Sequence, residues 1–319
     1  MSVDDTVVVV GAGISGIACA REVAAAGLRV RVFDRGRRIG GRMARRTIEG
    51  RAIDIGASYL TVRTEAFRNV VEDWLIRGLA RPWTNTFSLA EPGNGLVPKT
   101  GHMRYSAPGG LRLLVEDLAK GIDVIHPRDV ASIGPGATVD GNRVAAVALA
   151  MPDPQALELL SYHLPEERAA LVRHDWEPSL ALFAAWQERC WRNFDGAFVQ
   201  GSPVLSWIAD DGRRRGDGAP VLVAHSTPVF AAARPAESQA AAGPMLAALG
   251  ELLGVAEEPR WVEVKRWQHA APIHPHDELC FLGDAMVGCC GDGWGGNPRI
   301  EQAFLSGRAL GRLIVARLS

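Results

Sequence analysis

The chain is poor in lysine, in paired cysteines and in long apolar runs. Only Lys99, Lys120 and Lys265 among its 35 basic residues are lysine. With so much Ala and Gly alongside, this reads as compositional bias, so a single arginine carries little information. The five cysteines (Cys19, Cys190, Cys280, Cys289 and Cys290) are odd in number and form no C-x-x-C. That speaks against a secreted disulfide framework and against a redox dithiol. No apolar run reaches the ~18 residues that span a bilayer. The first strand pattern begins within ten residues of Met1, which leaves no room for a leader peptide. The expectation is a cytoplasmic protein without membrane association. A net charge of −1 also offers nothing to nucleic acid or to an acidic surface. No P-loop, Ser-His-Asp elbow or second G-x-G-x-x-G occurs, so nothing marks a separate nicotinamide-nucleotide domain. His269, His274, His276 and Asp277 are interrupted by Pro272 and Pro275, and no metal site is expected there.

What the chain has is concentrated in residues 7–43. Val7-Val8-Val9-Val10 is an uninterrupted apolar run and reads as a central parallel strand buried on both faces. Gly11-Ala12-Gly13-Ile14-Ser15-Gly16 follows at once, and residues 17–26 read as an Ala-rich helix stopped by Gly27. Residues 28–33 alternate with a period of two and end at Asp34. Strand, G-x-G-x-x-G, helix, strand and acid in this order make a dinucleotide-binding unit. Gly11 makes the tight turn, Gly13 lets backbone approach a pyrophosphate, and Gly16 lets helix and strand pack closely. The N–H groups of Ile14, Ser15 and Gly16 open the helix and suit phosphate charge. Asp34, with Arg35 beside it, is in position to take a ribose hydroxyl.

Gly40-Gly41-Arg42 follows shortly after that acid. This turn resembles the extended fingerprint of the FAD-binding amine oxidases and their relatives, where it packs against the FAD pyrophosphate and flavin. The resemblance departs from the common pattern in having Asp34 where that group usually has Glu. Asp54-x-Gly56-Ala57-x-Tyr59-x-Thr61 narrows it, being similar to an element of renalase and its bacterial relatives. There the segment leads to the flavin, which would put Gly56, Ala57 and Ser58 along the cofactor and Tyr59 near its ring. Tyr59 is equally well read as a half-buried strand tyrosine. Later matches are His225-x-Thr227, Arg266-Trp267-x-x-Ala270-x-Pro272 and the 298–307 segment, where Arg299 and Ile300 would aim a helix N-terminus at the flavin. The resemblance also implies that Gly283-Asp284, after a late apolar strand, binds the ribityl–pyrophosphate region. Gly291-Asp292 is a rival for that role. Val130, after a strand at 123–126, is the implied backbone contact to adenine.

The expected fold is α/β. A Rossmann-like FAD domain takes residues 1–80, 103–155 and 277–319, and a mostly antiparallel α+β substrate domain takes 81–102 and 156–276. At 319 residues, 47% hydrophobic, the chain has ample core for both. Residues 65–78 read as an amphipathic helix. Trp83 and Phe87 read as core or pocket wall, and 210–218, charged and Gly-rich, as an exposed loop tip. Cys289-Cys290 reads as a pair of packed or exposed thiols, since the family resembled holds FAD non-covalently.

By this resemblance the chain is an FAD-dependent oxidase of a small molecule. Its substrate would be a 2- or 6-dihydro isomer of NAD(P), with O2 as acceptor and H2O2 as product, and Tyr59, His225, Trp267 and His269 as pocket wall. Two alternatives stay open. One is an oxidase of an amine or small metabolite, for which Lys265 is the one plausible lysine near the flavin. The other is a non-catalytic flavin-binding sensor. An aromatic monooxygenase is disfavoured, because the mid-chain Asp-Gly motif of that class is missing.

Overall fold

The computed structural model describes residues 4–93, 95–171, 175–234 and 239–319. The chain divides into two compact units, one made of Met1–Met43, Arg112–Trp176 and Ala271–Ser319, the other of Ala44–Leu111 and Glu177–Ala270.

The first unit is built on strand β1 (Asp4–Val10), whose Val7 and Val9 are wholly buried. It pairs in parallel with β2 (Val30–Phe33) on one side and with the strand Asn142–Leu149 on the other. The strand Asp123–Ile125 lies beyond β2, and Val287–Cys289 lies beyond Asn142–Leu149, both parallel. Phe281–Leu282 closes that edge antiparallel to Val287–Cys289. The strand order reverses about β1, so the carboxyl ends of β1, β2 and Asn142–Leu149 frame a switch-point crevice of the kind in which open α/β sheets bind ligands. Helix α1 (Ile14–Ala25) starts at that end, and the final helix Ile300–Leu318 crosses it. The crossing is close because Gly307 and Gly311 face the carbonyls of Ser15 and Cys19, where a Cβ would have no room.

The second unit holds a seven-stranded sheet in the order Trp261–Pro272, Trp176–Ala185, Val221–Ser226, Leu205–Asp210, Gly196–Val199, Arg81–Glu91, Gly95–Ser106. From Trp176–Ala185 to Gly95–Ser106 the pairings are antiparallel except Gly196–Val199 with Arg81–Glu91. Alternation along 180–185 sorts its two faces. Leu180, Leu182 and Ala184 pack with Met245 and Leu249 of the helix Ala242–Leu253. Phe183 and Ala185 pack with Ile53, Ile55, Val221 and Val223.

The boundaries differ from the sequence expectation in two places. Residues 44–80 and 103–111 fall in the second unit, because the hairpin Arg45–Ile48/Arg51–Asp54 gives Ile53 to the sheet core there. Residues 156–176 and 271–276 fall in the first, because Leu160, Leu164 and Leu171 bury against Ile133, Val147 and Trp294.

Candidate functional site

The crevice of the first unit is lined by backbone. Gly11 sits at φ 108°, and a Cβ on it would come 2.5 Å from the Ala150 carbonyl oxygen. A Cβ on Gly16 would overlap the Gly11 carbonyl oxygen itself, so α1 and β1 approach as only glycine permits. Gly13 caps α1 with no side-chain hydrogen bond to its first N–H groups, those of Ile14, Ser15 and Gly16. The second glycine turn stands opposite. Gly40 N–H donates to the Ala12 carbonyl at 2.9 Å, and a Cβ on Gly41 would come 3.4 Å from Gly13 Cα. The result is a side-chain-free gap at a helix N-terminus, the form that a pyrophosphate fits. Asp34 ends β2, and its two carboxylate oxygens accept the N–H groups of Ala12 and Gly36, both at 2.7 Å. Those bonds hold the carboxylate at the rim and leave each oxygen a lone pair for a ribose hydroxyl. Arg35 is exposed. Val130 buries its side chain with Val8, Val10 and Ile133, so only its backbone is left to meet a ligand.

Arg42 turns from the glycine loop into the unit. It donates to both carboxylate oxygens of Asp292, one bond at 2.8 Å, and lies 5.0 Å over the Trp176 ring. Of the two candidate acids, Asp292 is the one that meets the arginine of the glycine turn. Gly283 and Asp284 form the turn between Phe281–Leu282 and Val287–Cys289, and Asp284 is 92% exposed beside Arg317 near the far end of the last helix. The physical reason lies in strand direction. The apolar run ending at Leu282 is the outer arm of a hairpin, and the strand that runs parallel to the sheet is Val287–Cys289. Its carboxyl end delivers Gly291, whose N–H donates to the Ser306 hydroxyl at 2.9 Å, and Asp292. Arg299 caps the last helix, and Ile300 opens it.

Sequence reading missed His276. Its Nε2 meets Asp153 Oδ2 at 3.2 Å, and its ring stacks on Trp294 at 3.5 Å and 4°. It also binds the loop by backbone, its N–H donating to Gly293 and its carbonyl accepting from Gly295 and Gly296. The stacked pair braces the glycine-rich segment that carries Asp292. Cys290 is buried beside Ser15, whose hydroxyl donates to its sulfur at 3.1 Å, and burial pushes its thiol up to about 12.

In the second unit the candidates gather around residues 54–59. Trp267 donates its indole N–H to the Ile55 carbonyl at 2.6 Å. His225 hydrogen-bonds the Gly56 backbone, and its buried Nε2 has no hydrogen-bond partner among the described residues. Burial, reinforced by Arg214, pulls its imidazole down to about 4, so it is neutral near pH 7. Trp207 and Arg214 hold Ser58, by its hydroxyl at 3.3 Å and its carbonyl at 3.0 Å. Gly56 and Ser58 are buried, and Ala57 is half-buried. Tyr59 joins Trp83, Phe87 and Trp207 in an aromatic cluster with centroids 6.3, 5.1 and 5.8 Å from its own. Burial raises its phenol pKa against the pull of Arg104. His269 is half-buried two residues beyond Trp267 on the same strand, and so on the same face. Lys265 is exposed, with its ammonium 5.6 Å over the Trp267 ring.

Residues 210–218 are not an exposed tip. They carry a helical turn, Asp211–Arg215, with Asp211, Arg214 and Arg215 buried. Arg214 and Arg215 both donate to Asp211, and Arg215 also donates to Asp54 at 2.9 Å. The second carboxylate oxygen of Asp54 accepts the Leu111 N–H at 2.9 Å. No clustering of His, Cys, Asp and Glu among the described residues can hold a metal ion.

Comparison with known proteins fits this architecture. Residues 9–74 match the family model of the NAD(P)-binding Rossmann-like domain. A flavin-containing monoamine oxidase by name, AofH of Mycobacterium tuberculosis, is 32% identical over 141 residues, which are 39% of this chain and 28% of that protein. The chain thus spans under a third of that relative. Among solved structures, cyclohexylamine oxidase from Brevibacterium oxydans superposes with a TM-score of 0.77 at 14% identity, over 99% of both chains. Putrescine oxidase with bound putrescine gives 0.75 at 16%, over 99% of this chain and 100% of that one. The fold is shared with these two amine oxidases, and residues 9–74 form its Rossmann-like nucleotide-binding part. No helix among the described residues is long and apolar enough to cross a membrane.

Proposed function

We propose that the chain is an FAD-dependent oxidoreductase, an oxidase of a small molecule. The observation that carries this is the backbone-lined gap between Gly13 and Gly41 at the uncapped start of α1, closed by the Arg42–Asp292 pair. FAD fits it. Gly11, Gly13, Ile14, Ser15 and Gly16 supply backbone to the pyrophosphate, Asp34 the ribose acceptor, and Gly41 and Arg42 the second wall. When bound, FAD supplies the hydride acceptor at N5 and returns electrons to O2 as H2O2. The chain has to bind, orient and exclude water. A Cys290 thiol at about 12 stays protonated, which supports non-covalent holding of the cofactor.

The substrate reading is the renalase-like one, a 2- or 6-dihydro isomer of NAD(P), with Tyr59, His225, Trp267 and His269 as wall. A neutral His225 and a protonated Tyr59 offer hydrogen bonds and no charge, which suits an uncharged dihydropyridine amide. Amine oxidation is the second reading, favoured by the relatives named above. The test is anaerobic absorbance of the FAD-loaded protein. Flavin peaks that bleach on mixing with dihydronicotinamide isomers and return with air, forming peroxide, are the expected result. Bleaching by amines alone moves the assignment to the second reading, and bleaching by neither removes the oxidase assignment.

A paired substitution tests the cradle itself. Gly16→Ala drives a methyl into the Gly11 carbonyl and is expected to cost about 3 kcal/mol in urea unfolding. Gly13→Ala sits at φ −76°, with its Cβ 4.0 Å from Gly41 Cα, so stability should change by under about 0.5 kcal/mol. Its methyl enters the gap, however, and the absorbance of bound flavin should be lost.

A further inference from the structure

The aromatic cluster of the second unit contains an arginine that the proposed chemistry does not use. Arg104 stands opposite Thr84 in the pairing of Gly95–Ser106 with Arg81–Glu91, where the register shifts on both sides of Thr84. Such irregularities re-aim side chains. Here the Arg104 guanidinium lies 3.8 Å over the ring of Phe87. Phe87 is the hub of the cluster, with Trp83, Tyr59 and Trp207 at centroid distances of 5.2, 5.1 and 4.7 Å, each meeting it edge-on.

Two donors at this place are buried and unmatched. Arg104 Nη1 and Trp83 Nε1 have no hydrogen-bond partner among the described residues. Leaving a buried donor unmade costs about 1–3 kcal/mol, more where it is charged, so each such group calls for an explanation. Three other arginines of this unit do find carboxylates: Arg214 and Arg215 have Asp211, and Arg51 has Asp211 and Asp217. The titratable neighbours that act on Arg104 are Tyr59 and Arg63, and neither is a carboxylate. Arg63 in turn reaches His102, at 2.8 Å between Nη1 and Nε2, so this end of the cluster is basic. Burial weakens the hold of Arg104 on its proton, and Arg63 adds to that. A bound anion would oppose both effects by stabilising the cation.

The geometry points to a subsite in which Arg104 and Trp83 grip the anionic group of an aromatic or dihydroaromatic ligand, a carboxylate or phosphate, while the half-buried Tyr59 meets its ring and the buried Phe87 supports the guanidinium from beneath. The guanidinium fork and the indole N–H are donors of the kind such a group takes. A cationic amine finds like charge there instead. This deepens the substrate reading above and rests on it for the claim that the ligand is oxidised; the binding claim stands by itself.

The test uses the FAD-loaded protein and its tryptophan emission, titrated with nicotinate, its neutral amide nicotinamide, and benzylamine. Nicotinate is expected to bind about tenfold more tightly than nicotinamide, with benzylamine weakest, since one charge-assisted contact is worth roughly 1.5 kcal/mol. Arg104→Gln should abolish that preference. Trp83→Phe keeps the ring and removes the N–H, so it should weaken nicotinate several-fold and leave nicotinamide unchanged. Equal affinities in the native protein, or a preference that survives in Arg104→Gln with its thermal midpoint intact, would overturn the subsite. Nicotinate selectivity that depends on Arg104, in a protein whose flavin no dihydronicotinamide bleaches, would keep the subsite and remove the oxidase reading.

Discussion

Asp211→Ala is expected to lower the free energy of unfolding by about 3–5 kcal/mol, the cost of breaking a buried ion pair from one side. Asp211 has no exposed surface and receives three guanidinium groups, from Arg214, Arg215 and Arg51. Arg51 keeps Asp217, and Arg215 keeps Asp54 and the carbonyls of Ala107 and Pro108. Arg214, also without exposed surface, is left with the Ser58 carbonyl at 3.0 Å and an Asp54 oxygen at 3.9 Å. Two buried cations, Arg214 and Arg215, would then share one enclosed carboxylate, Asp54. Urea unfolding measures the loss, and the double replacement Asp211→Leu with Arg214→Met should recover much of it, because an apolar pair needs no hydration. A loss under about 1 kcal/mol, the size of an exposed pair, would show that the cluster is solvated.

The same carboxylate sets a pH dependence. Burial raises the Asp211 pKa, but Arg214, Arg215 and Arg51 outweigh burial and hold it far below the ordinary carboxylate value. A depressed folded value means stability that is present above the ordinary carboxylate pKa and lost as pH falls through and below that range. Burial pushes Asp54 the other way, since it outweighs the pull of Arg215 and Arg214, so Asp54 opposes that loss. The acid limb of the native protein should therefore flatten in Asp211→Ala.

This cluster also marks where sequence stops informing. Asp-Asp-Gly-Arg-Arg-Arg-Gly has the composition of a solvated turn, and composition cannot tell whether charges face water or one another. The dinucleotide unit was legible because each of its demands is local: a run of Val, a glycine wherever backbone closes on backbone, an acid at the next strand end. The antiparallel sheet was legible through alternation, as at Leu180, Leu182 and Ala184. Arg104 was not, because its meaning lies in what surrounds it, an aromatic ring below and no carboxylate beside it. The unit boundaries were missed for a related reason. The hairpin at 45–54 continues the chain directly from the glycine turn, and only the packing of Ile53 against Phe183 assigns it elsewhere.

Asp292→Ala is expected to strip the protein of FAD, where Asp284→Ala leaves it loaded. The apolar run before Gly283-Asp284 looks like the last strand, yet the parallel strand is Val287–Cys289, three residues with a glycine in the middle and no pattern to announce it. Asp292 stands just beyond its carboxyl end and fixes Arg42 by two charge-assisted bonds, with Trp176 beneath the guanidinium. Removing it takes away the carboxylate that ties the half-buried Arg42 guanidinium to the glycine-rich segment after Val287–Cys289. The wall of the cofactor gap then loses its brace, at about 3 kcal/mol or a hundredfold in FAD affinity. Asp284 is exposed and 3.5 Å from Arg317, so its loss should stay within about 0.5 kcal/mol. Flavin absorbance retained after dialysis, followed by FAD titration of the stripped protein, compares the two. Retention by Asp292→Ala with loss in Asp284→Ala would return the cofactor contact to the hairpin turn and detach Arg42 from the site, because no rearrangement within the crevice lets an acid at the outer edge of the sheet replace one at its carboxyl end.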